Sequence, residues 1–272
     1  MSFPEPVVED KVRGKPEKFA DHYSQATLFF ASQSPVEQNH IVAAFRFELT
    51  RVQTPAVRQR VVALLRNVDE TLAARVADGL GMELPPALPR ALEPPVRSEV
   101  DASPALSLLA RPGDGSIAGR RVALIVADGA DAATLQPIYD ALVGAGAAPR
   151  YVGVKLGKVK AGSTAIEIEA TLETMPSPMW DAVVLDASAN ALAKVGAAVE
   201  FVKEQFRHCK AILAIGDVQA LLAAAGIDAT PSDAGFVVTS SGASAGKPAI
   251  AAFTKAIAQH KHYEREADPA PV

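Results

Sequence analysis

The chain has 272 residues, of which 49% are hydrophobic and 21% are charged, and it contains a single cysteine. Its formal net charge of −4 argues against a nucleic-acid-binding protein or a protein that binds anionic membranes. One cysteine excludes an internal disulfide and a cysteine-rich zinc site. The sequence has no apolar run of bilayer-spanning length and no signal-peptide pattern at its start, so it predicts a cytoplasmic protein.

Residues 1–18 are polar and proline-rich and predict an extended tail, whereas residues 19–82 show helical periodicity. One helix is predicted to begin at Ser34, because Ser34 can cap it, Pro35 suits its first position and Glu37 completes a capping box. Its apolar stripe is Ile41, Phe45, Leu49 and Val52. Three or four helices in so short a region form a thin core, so we expect this region to pack on another body.

Another helix is predicted to begin at Thr54-Pro55, and a third to end near Gly79 and Gly81. The following residues, 83–118, predict a semi-rigid linker without helix, because proline lacks the backbone donor that a helix interior needs. Its prolines are Pro85, Pro86, Pro89, Pro94, Pro95, Pro104 and Pro112.

Residues 119–260 alternate short apolar runs with helical segments, which predicts an α/β domain with a doubly wound parallel sheet behind the small all-α region. The predicted strands are 121–127, 149–154, 180–186, 211–215 and 235–239, and the predicted helices are 134–146, 191–206, 218–225 and 248–260. The alternation of apolar and acidic residues in 163–172 predicts a half-exposed hairpin arm. Residues 261–272 are interpreted as a tail.

Sites in a doubly wound sheet lie at the carboxyl ends of its strands. Asp128, Asp186 and Asp217 lie at such ends, where surface caps and turns explain each of them most simply. Ser244 lies in Gly-Ala-Ser-Ala-Gly, which matches the G-x-S-x-G motif of serine hydrolases, so a free-standing serine hydrolase using Ser244 is an alternative hypothesis. That motif needs an acid and a histidine later in the chain, and only terminal residues follow it. A small-ligand binding module at the sheet edge is a further alternative.

The remaining candidate ligands and nucleophiles favour structural roles. His260 and His262 are two positions apart, so their rings would point to different sides of a helix, and we expect a surface tail rather than a metal site. Cys209 precedes a predicted strand instead of ending it, so it lacks the placement that activates a thiol. The sequence therefore predicts no metal site.

Four blocks in the helical region have a familiar spacing: FADHYSQATLF at 19–29, SQSPVEQNHI at 32–41, FRFEL at 45–49 and NVD at 67–69. They resemble the helical region that follows the haem barrel in haem catalases. The rest of the chain resembles the extra carboxyl-terminal domain of large-subunit (clade 2) haem catalases. That domain is similar to flavodoxin, to class I glutamine amidotransferases and to the DJ-1/PfpI group. The resemblance covers essentially the whole chain and implies a flavodoxin-like fold.

The resemblance implies that the chain is the carboxyl-terminal portion of a haem enzyme that dismutates hydrogen peroxide to water and oxygen, within an oxidative stress response. Its partners would be the catalase haem-barrel core and the homotetramer, and unfolded client proteins if the domain is chaperone-like. The upstream barrel carries the haem ligands in this family. None of the four tyrosines, Tyr23, Tyr139, Tyr151 and Tyr263, has the arginine that precedes the proximal tyrosine by four residues. We therefore expect haem in the full-length parent and no cofactor in this chain.

The resemblance also allows a check of the DJ-1/PfpI nucleophile. Gly216 stands where that group has its cysteine, and Val218 stands where it has a glycine. The acidic partner aligns near Thr134. Since covalent chemistry of that kind needs a thiolate, we expect no catalytic residue here and no enzyme activity of the chain on its own.

Overall fold

The structure is a computed structural model that describes residues 4, 6–93, 95, 100–228, 233–240 and 246–270, without the side chains of residues 17 and 246. The chain divides into two compact units, Met1–Pro112 and Gly113–Val272. Within the described residues, no helix combines the length and the apolar character that crossing a bilayer requires. The predicted fold class, an all-α region followed by an α/β domain, is confirmed.

The part of the first unit that the structure describes, here called the helical unit, contains four α-helices after a 3-10 turn at Glu17–Ala20: α1 (Ser24–Ala31), α2 (Pro35–Arg51), α3 (Pro55–Leu65) and α4 (Glu70–Gly79). The capping box at the start of α2 is confirmed, because Ser34 N donates to Glu37 Oε2 at 2.8 Å and Glu37 N donates to Ser34 Oγ at 3.4 Å. Asp69 caps α4 through a single bond, accepting from Leu72 N at 2.8 Å. Helix α3 begins after Thr54 as predicted, although the Thr54 side chain makes no capping bond.

A single small cluster of buried side chains holds the helical unit together. Its members are Phe30, Val42, Leu49, Val62, Leu65, Leu72, Ala73, Val76 and Ala77. The predicted stripe on α2 faces this cluster, with Leu49 buried in it and Ile41, Phe45 and Val52 packed against it. Other apolar side chains of the unit, Phe19, Phe29 and Phe47, are exposed instead.

The prediction that residues 83–118 contain no helix was wrong for two short stretches. The 3-10 turns Pro104–Leu106 and Leu108–Ala110 lie there. Glu37 holds them, since its carboxylate accepts from the Ser107 hydroxyl at 2.8 Å and from Leu108 N at 2.8 Å. Burial opposes ionisation of Glu37, but its hydrogen bonds outweigh that effect and lower its pKa to about 2. Short 3-10 turns tolerate proline at their start, which the composition argument overlooked.

In its described residues, the second unit, here called the α/β unit, has eight strands and four α-helices. The strands are β1 (Arg121–Ile125), β2 (Ala148–Gly153), β3 (Gly157–Ala161), β4 (Thr164–Ile168), β5 (Ala170–Thr171), β6 (Ala182–Leu185), β7 (Ala211–Ile215) and β8 (Phe236–Thr239). The helices are α5 (Ala132–Gly144), α6 (Gly196–Arg207), α7 (Gln219–Ala224) and α8 (Gly246–Gln259). Six strands form a parallel sheet in the order β5-β2-β1-β6-β7-β8, while β3 and β4 pair as an antiparallel hairpin.

Each face of the parallel sheet has its own buried cluster. Leu124 and Leu213 pack on the side of α5 and α8, together with Phe253. Their neighbours Ile125 and Ile212 point to the other face, towards α6 and α7. Because both faces are covered, the central strands β6 and β7 are apolar throughout rather than alternating, which is why their short apolar runs were a reliable signal.

The hairpin arm was predicted in part. Ile166 and Ile168 of β4 are buried while Glu167 between them is exposed, as the alternation indicates. Strand β3 was missed because Lys158 and Lys160 make it polar, and residues 170–171 join the main sheet instead of the arm.

The prediction that His262 lies in an exposed tail was wrong. Its side chain is 0% exposed, and its backbone N donates to Cys209 O at 2.8 Å, so the segment after α8 returns to the start of β7. The ring lies where a side chain on Gly235 would be, since a Cβ there would come within 2.2 Å of it. Gly235 lacks a side chain and so makes room for the buried ring of His262. Because Gly235 is distant from His262 in the sequence, the spacing of the residues around His262 could not reveal this burial.

Candidate functional site

The carboxyl edge of the parallel sheet holds a buried carboxylate–hydroxyl pair. Asp186 directly follows β6 and is 3% exposed, and its carboxylate accepts from the Ser188 hydroxyl at 2.5 Å and from Asp131 N at 3.1 Å. Burial raises the pKa of Asp186. The simple interpretation of Asp186 as a surface cap was therefore wrong, because the group is enclosed and joins the β6 edge to the start of α5.

The other two predicted carboxylates serve turns and caps. Asp128 is exposed and accepts from Lys160 N at 2.8 Å, which ties the end of β1 to the hairpin. Asp217 is exposed and accepts from Gln219 N at 2.9 Å at the start of α7. Each carboxylate thus has its own local role.

Gly216, which the resemblance places where the DJ-1/PfpI group has its cysteine, is in left-handed conformation. Gly216 follows β7 with φ of 68°, and its backbone N donates to Thr239 O at 2.8 Å. A side chain is rarely found in that conformation, so the loop geometry needs glycine. Thr134, which aligns with the acidic partner, is buried and donates its hydroxyl to Asp131. This edge presents no thiol at the position where the chemistry would require one.

Ser188 does not replace that nucleophile. Its hydroxyl donates to Asp186 and accepts from Ala127 N at 3.0 Å, and the residue is 8% exposed. A serine nucleophile needs a base that takes its proton, usually a histidine. Within the described residues, the Ser188 hydroxyl bonds to the carboxylate of Asp186 and to the backbone amide of Ala127. The Asp186–Ser188 pair is therefore suited to stabilising the carboxyl edge of the sheet rather than to catalysis.

Ser244 lies outside the described residues. The only histidines after it in the sequence are His260 and His262. His260 approaches Asp181 at 3.6 Å, and His262 bonds through its backbone to Cys209. Both contacts lie just before β6 and β7, at the amino edge of the sheet, whereas the segment that holds Ser244 follows the carboxyl end of β8.

Two open clefts flank helix α5. One of about 590 Å³ lies between the β1–α5 loop and the turn of the hairpin. The other, of about 580 Å³, is lined by the stacked rings of Tyr139 and Tyr151, whose centroids are 5.0 Å apart, and by Glu169. Burial raises the pKa of Tyr151 to about 12. Both clefts could admit a small ligand by size, but they are open to solvent.

Comparison with known proteins identifies the family to which the chain belongs. The family model described as the C-terminal domain found in long catalases matches residues 118–267, and the catalase-related immune-responsive model matches residues 16–80. The chain belongs to the family of long-catalase C-terminal domains. The resemblance to the carboxyl-terminal portion of large-subunit catalases is thereby confirmed.

Similar proteins agree with this assignment. Catalase HPII of Pseudomonas putida is 38% identical over 98% of this chain and 36% of its own length. Catalase C of Rhizobium meliloti is 40% identical over 97% of this chain and 37% of its own length. Catalase-2 of Bacillus subtilis is 33% identical over 97% of this chain. The chain therefore spans little more than a third of the length of the curated relatives it matches.

Two polar groups of this catalase C-terminal domain were missed by the sequence reasoning. Lys210 is buried at the start of β7 and donates to Ser177 O at 2.8 Å, and burial, aided by the nearby charge of Lys261, lowers its pKa to about 8. Asp233 and Arg265 form an ion pair whose side chains are 6% and 4% exposed. Both groups arise from contacts between residues far apart in sequence, which no local pattern indicates.

Proposed function

We propose that this chain is the non-catalytic carboxyl-terminal part of a large haem catalase, whose complete subunit dismutates hydrogen peroxide to water and oxygen. The observation that carries the proposal is the match of two catalase family models, in order, to residues 16–80 and 118–267. Relatives named catalase extend well beyond the matched region, which leaves room for a haem-binding core in the parent.

Among the residues that the structure describes, the histidine and tyrosine sites offer no pocket suited to haem. A haem iron needs an axial ligand at an enclosed, largely apolar pocket. The cleft of about 320 Å³ in the helical unit includes His22 and Tyr23, but its wall also carries the charged side chains Asp21, Arg66, Asp69, Glu70 and Arg90. Tyr139 and Tyr151 are stacked on each other. We therefore assign the peroxide chemistry to the parent and a stabilising role to this part.

The partner that the proposal requires is the haem-barrel core within the catalase homotetramer. The exposed apolar side chains of the helical unit support it, since Phe19, Phe29 and Phe47 are 68%, 48% and 58% exposed. Exposed apolar surface of this kind is typical of an interaction site. The same surface supports the chaperone-like role, because it could bind unfolded client proteins.

The mass of the native subunit tests the proposal. An antibody against residues 119–260 should detect, in extract of the source cells, a subunit several tens of kDa heavier than the 272-residue chain. The purified chain, supplied with haem, should not release oxygen from hydrogen peroxide. A native subunit of 272 residues would contradict the proposal, and so would peroxide dismutation by the chain itself.

The chaperone-like role has a separate test. The full chain at equimolar dose should reduce the light scattering of a heated client protein, and Phe29→Gln should weaken that protection. Unchanged scattering in the presence of the chain would remove this role and leave the catalase assignment intact. A serine hydrolase using Ser244 is not proposed, because no observation favours it.

A further inference from the structure

The ring of His262 presents a buried nitrogen without a partner. Its Nε2 lies 3.1 Å from Ala256 O, and because a carbonyl oxygen only accepts hydrogen bonds, Nε2 must carry the proton. In the neutral imidazole, Nδ1 then carries a free lone pair. This atom is fully buried and has no hydrogen-bond partner among the described residues. Metal-binding histidines are commonly held in this way, with one ring nitrogen donating to a carbonyl and the other facing the metal.

One carboxylate lies close to that nitrogen, and a second belongs to the same cluster. Glu264 Oε1 lies 3.8 Å from His262 Nδ1, too far for a hydrogen bond. Two ligands that each lie about 2.0–2.2 Å from one tetrahedral zinc ion are themselves about 3.3–3.6 Å apart, so a cation fits between these atoms after a small movement. A carboxylate oxygen of Asp233 completes a group whose ligand atoms all lie within 4.8 Å of one another.

Asp233 can still offer an acceptor site. Its carboxylate accepts from Gly235 N at 2.8 Å and from Nε and Nη2 of Arg265. A carboxylate has about four acceptor sites, so one remains. Arg265 balances one of the two negative charges, which leaves the group with a single net negative charge before a cation binds. We expect weaker binding here than at a site with four protein ligands and no arginine.

We propose that Asp233, His262 and Glu264 form a binding site for a divalent transition-metal cation of the zinc class. One imidazole nitrogen with two carboxylate oxygens suits zinc, cobalt or nickel better than calcium or magnesium, which prefer oxygen ligands alone. The half-exposed side chain of Glu264 leaves a solvent side from which water completes the coordination. The cation would fasten the segment after α8 to the residue that precedes β8.

Calorimetric titration of the metal-stripped full chain with Zn²⁺ tests this site. We expect saturable binding of one ion and a rise in the melting temperature, because a ligand that binds only the folded chain stabilises it. Glu264→Gln should weaken the affinity at least tenfold and remove the rise, and its exposed position makes a folding defect improbable as the cause. Magnesium at the same concentration should have no effect.

The matched control is His260→Gln, since His260 is an exposed imidazole two residues away. This variant should bind Zn²⁺ like the natural chain. If it loses binding as Glu264→Gln does, or if the natural chain shows no saturable binding, the proposal is overturned. Co²⁺ gives a second readout, because ligation by His262 should produce visible absorption that is lost in Glu264→Gln and kept in His260→Gln.

Discussion

The two units bury their apolar side chains in different ways. The α/β unit covers both faces of a parallel sheet, and each face has its own large buried cluster. The helical unit has one small cluster and leaves Phe19, Phe29 and Phe47 exposed. The difference indicates that the α/β unit contains the core it needs, whereas the helical unit has apolar surface suited to a partner.

The largest expected effect lies in the core of the α/β unit. Phe253 of α8 is 0% exposed, so Phe253→Ala should lower the free energy of unfolding by about 3–5 kcal/mol. The only tryptophan, Trp180, is 2% exposed in this unit, so its fluorescence during urea unfolding reports on this unit. Leu156→Ala is the control, because Leu156 is 67% exposed and should change stability by less than about 0.5 kcal/mol. If both variants lost the same free energy of unfolding, the buried core of the α/β unit would not be the main source of its stability.

A smaller effect concerns the buried Lys210. Burial and the charge of Lys261 lower its pKa from 10.5 to about 8, so between these pH values the unfolded chain binds the proton more readily. Stability should therefore rise as the pH rises from about 8 to 10.5. Lys210→Met should lack this rise and be more stable near neutral pH by on the order of 1 kcal/mol.

The experiment on Lys210 compares urea unfolding of the natural chain and Lys210→Met by Trp180 fluorescence at pH 7.5 and pH 10. Ser177 O keeps donors in the variant, since Gln205 Nε2 and Trp180 N also donate to it. Parallel pH profiles for the two proteins would refute the prediction.

An effect of similar or smaller size is expected at the capping box of the helical unit. The pKa of Glu37 is lowered from 4.5 to about 2, so its carboxylate stabilises the fold fully above pH 4.5 and loses that effect as the pH falls towards 2. Glu37→Gln should cost about 1 kcal/mol at neutral pH and reduce the loss of stability in that acid range. Circular dichroism at 222 nm measures it, with the exposed Glu48→Gln as the control that should keep the natural acid profile.

The smallest effect on stability should come from the exposed surface of the helical unit. Phe29→Gln should change the free energy of unfolding by less than about 0.5 kcal/mol while reducing self-association in analytical ultracentrifugation. The neighbouring Phe30 is 6% exposed, and Phe30→Ala should cost about 3 kcal/mol. A large loss of stability in Phe29→Gln would mean that this side chain is part of the core.

Much of the fold could be predicted because its signals are local. Ser34 and Glu37 define a helix start within four residues, and an apolar run such as β7 is typical of a strand covered on both faces. Strand β3 was not predicted because its lysines make the segment too polar to resemble a strand. The 3-10 turns near Ser107 were not predicted because they depend on Glu37, which is far away in the sequence.

Little of the polar chemistry could be predicted, for the same reason. The sequence resemblance predicted that Gly216 leaves its strand end without a nucleophilic side chain, and the structure places Gly216 directly after β7 in left-handed conformation. The burial of Asp186 and His262 could not be predicted, because it depends on distant residues such as Asp131 and Gly235 that the fold brings to them. The sequence around a polar residue at a strand end, or in a terminal segment, does not distinguish an exposed side chain from a buried one.

The carboxylate of Asp181 contacts one residue just before the first strand of the α/β unit and one just after its last helix. Arg120, which precedes β1, lies 3.3 Å from Asp181 Oδ1, and His260, which follows α8, lies 3.6 Å from the same atom. A module whose two ends meet can be inserted, transferred or circularly permuted with little rearrangement of its interior. The contacts at Asp181 bring the chain before β1 close to the chain after α8, which suits the α/β unit to insertion or transfer as one module.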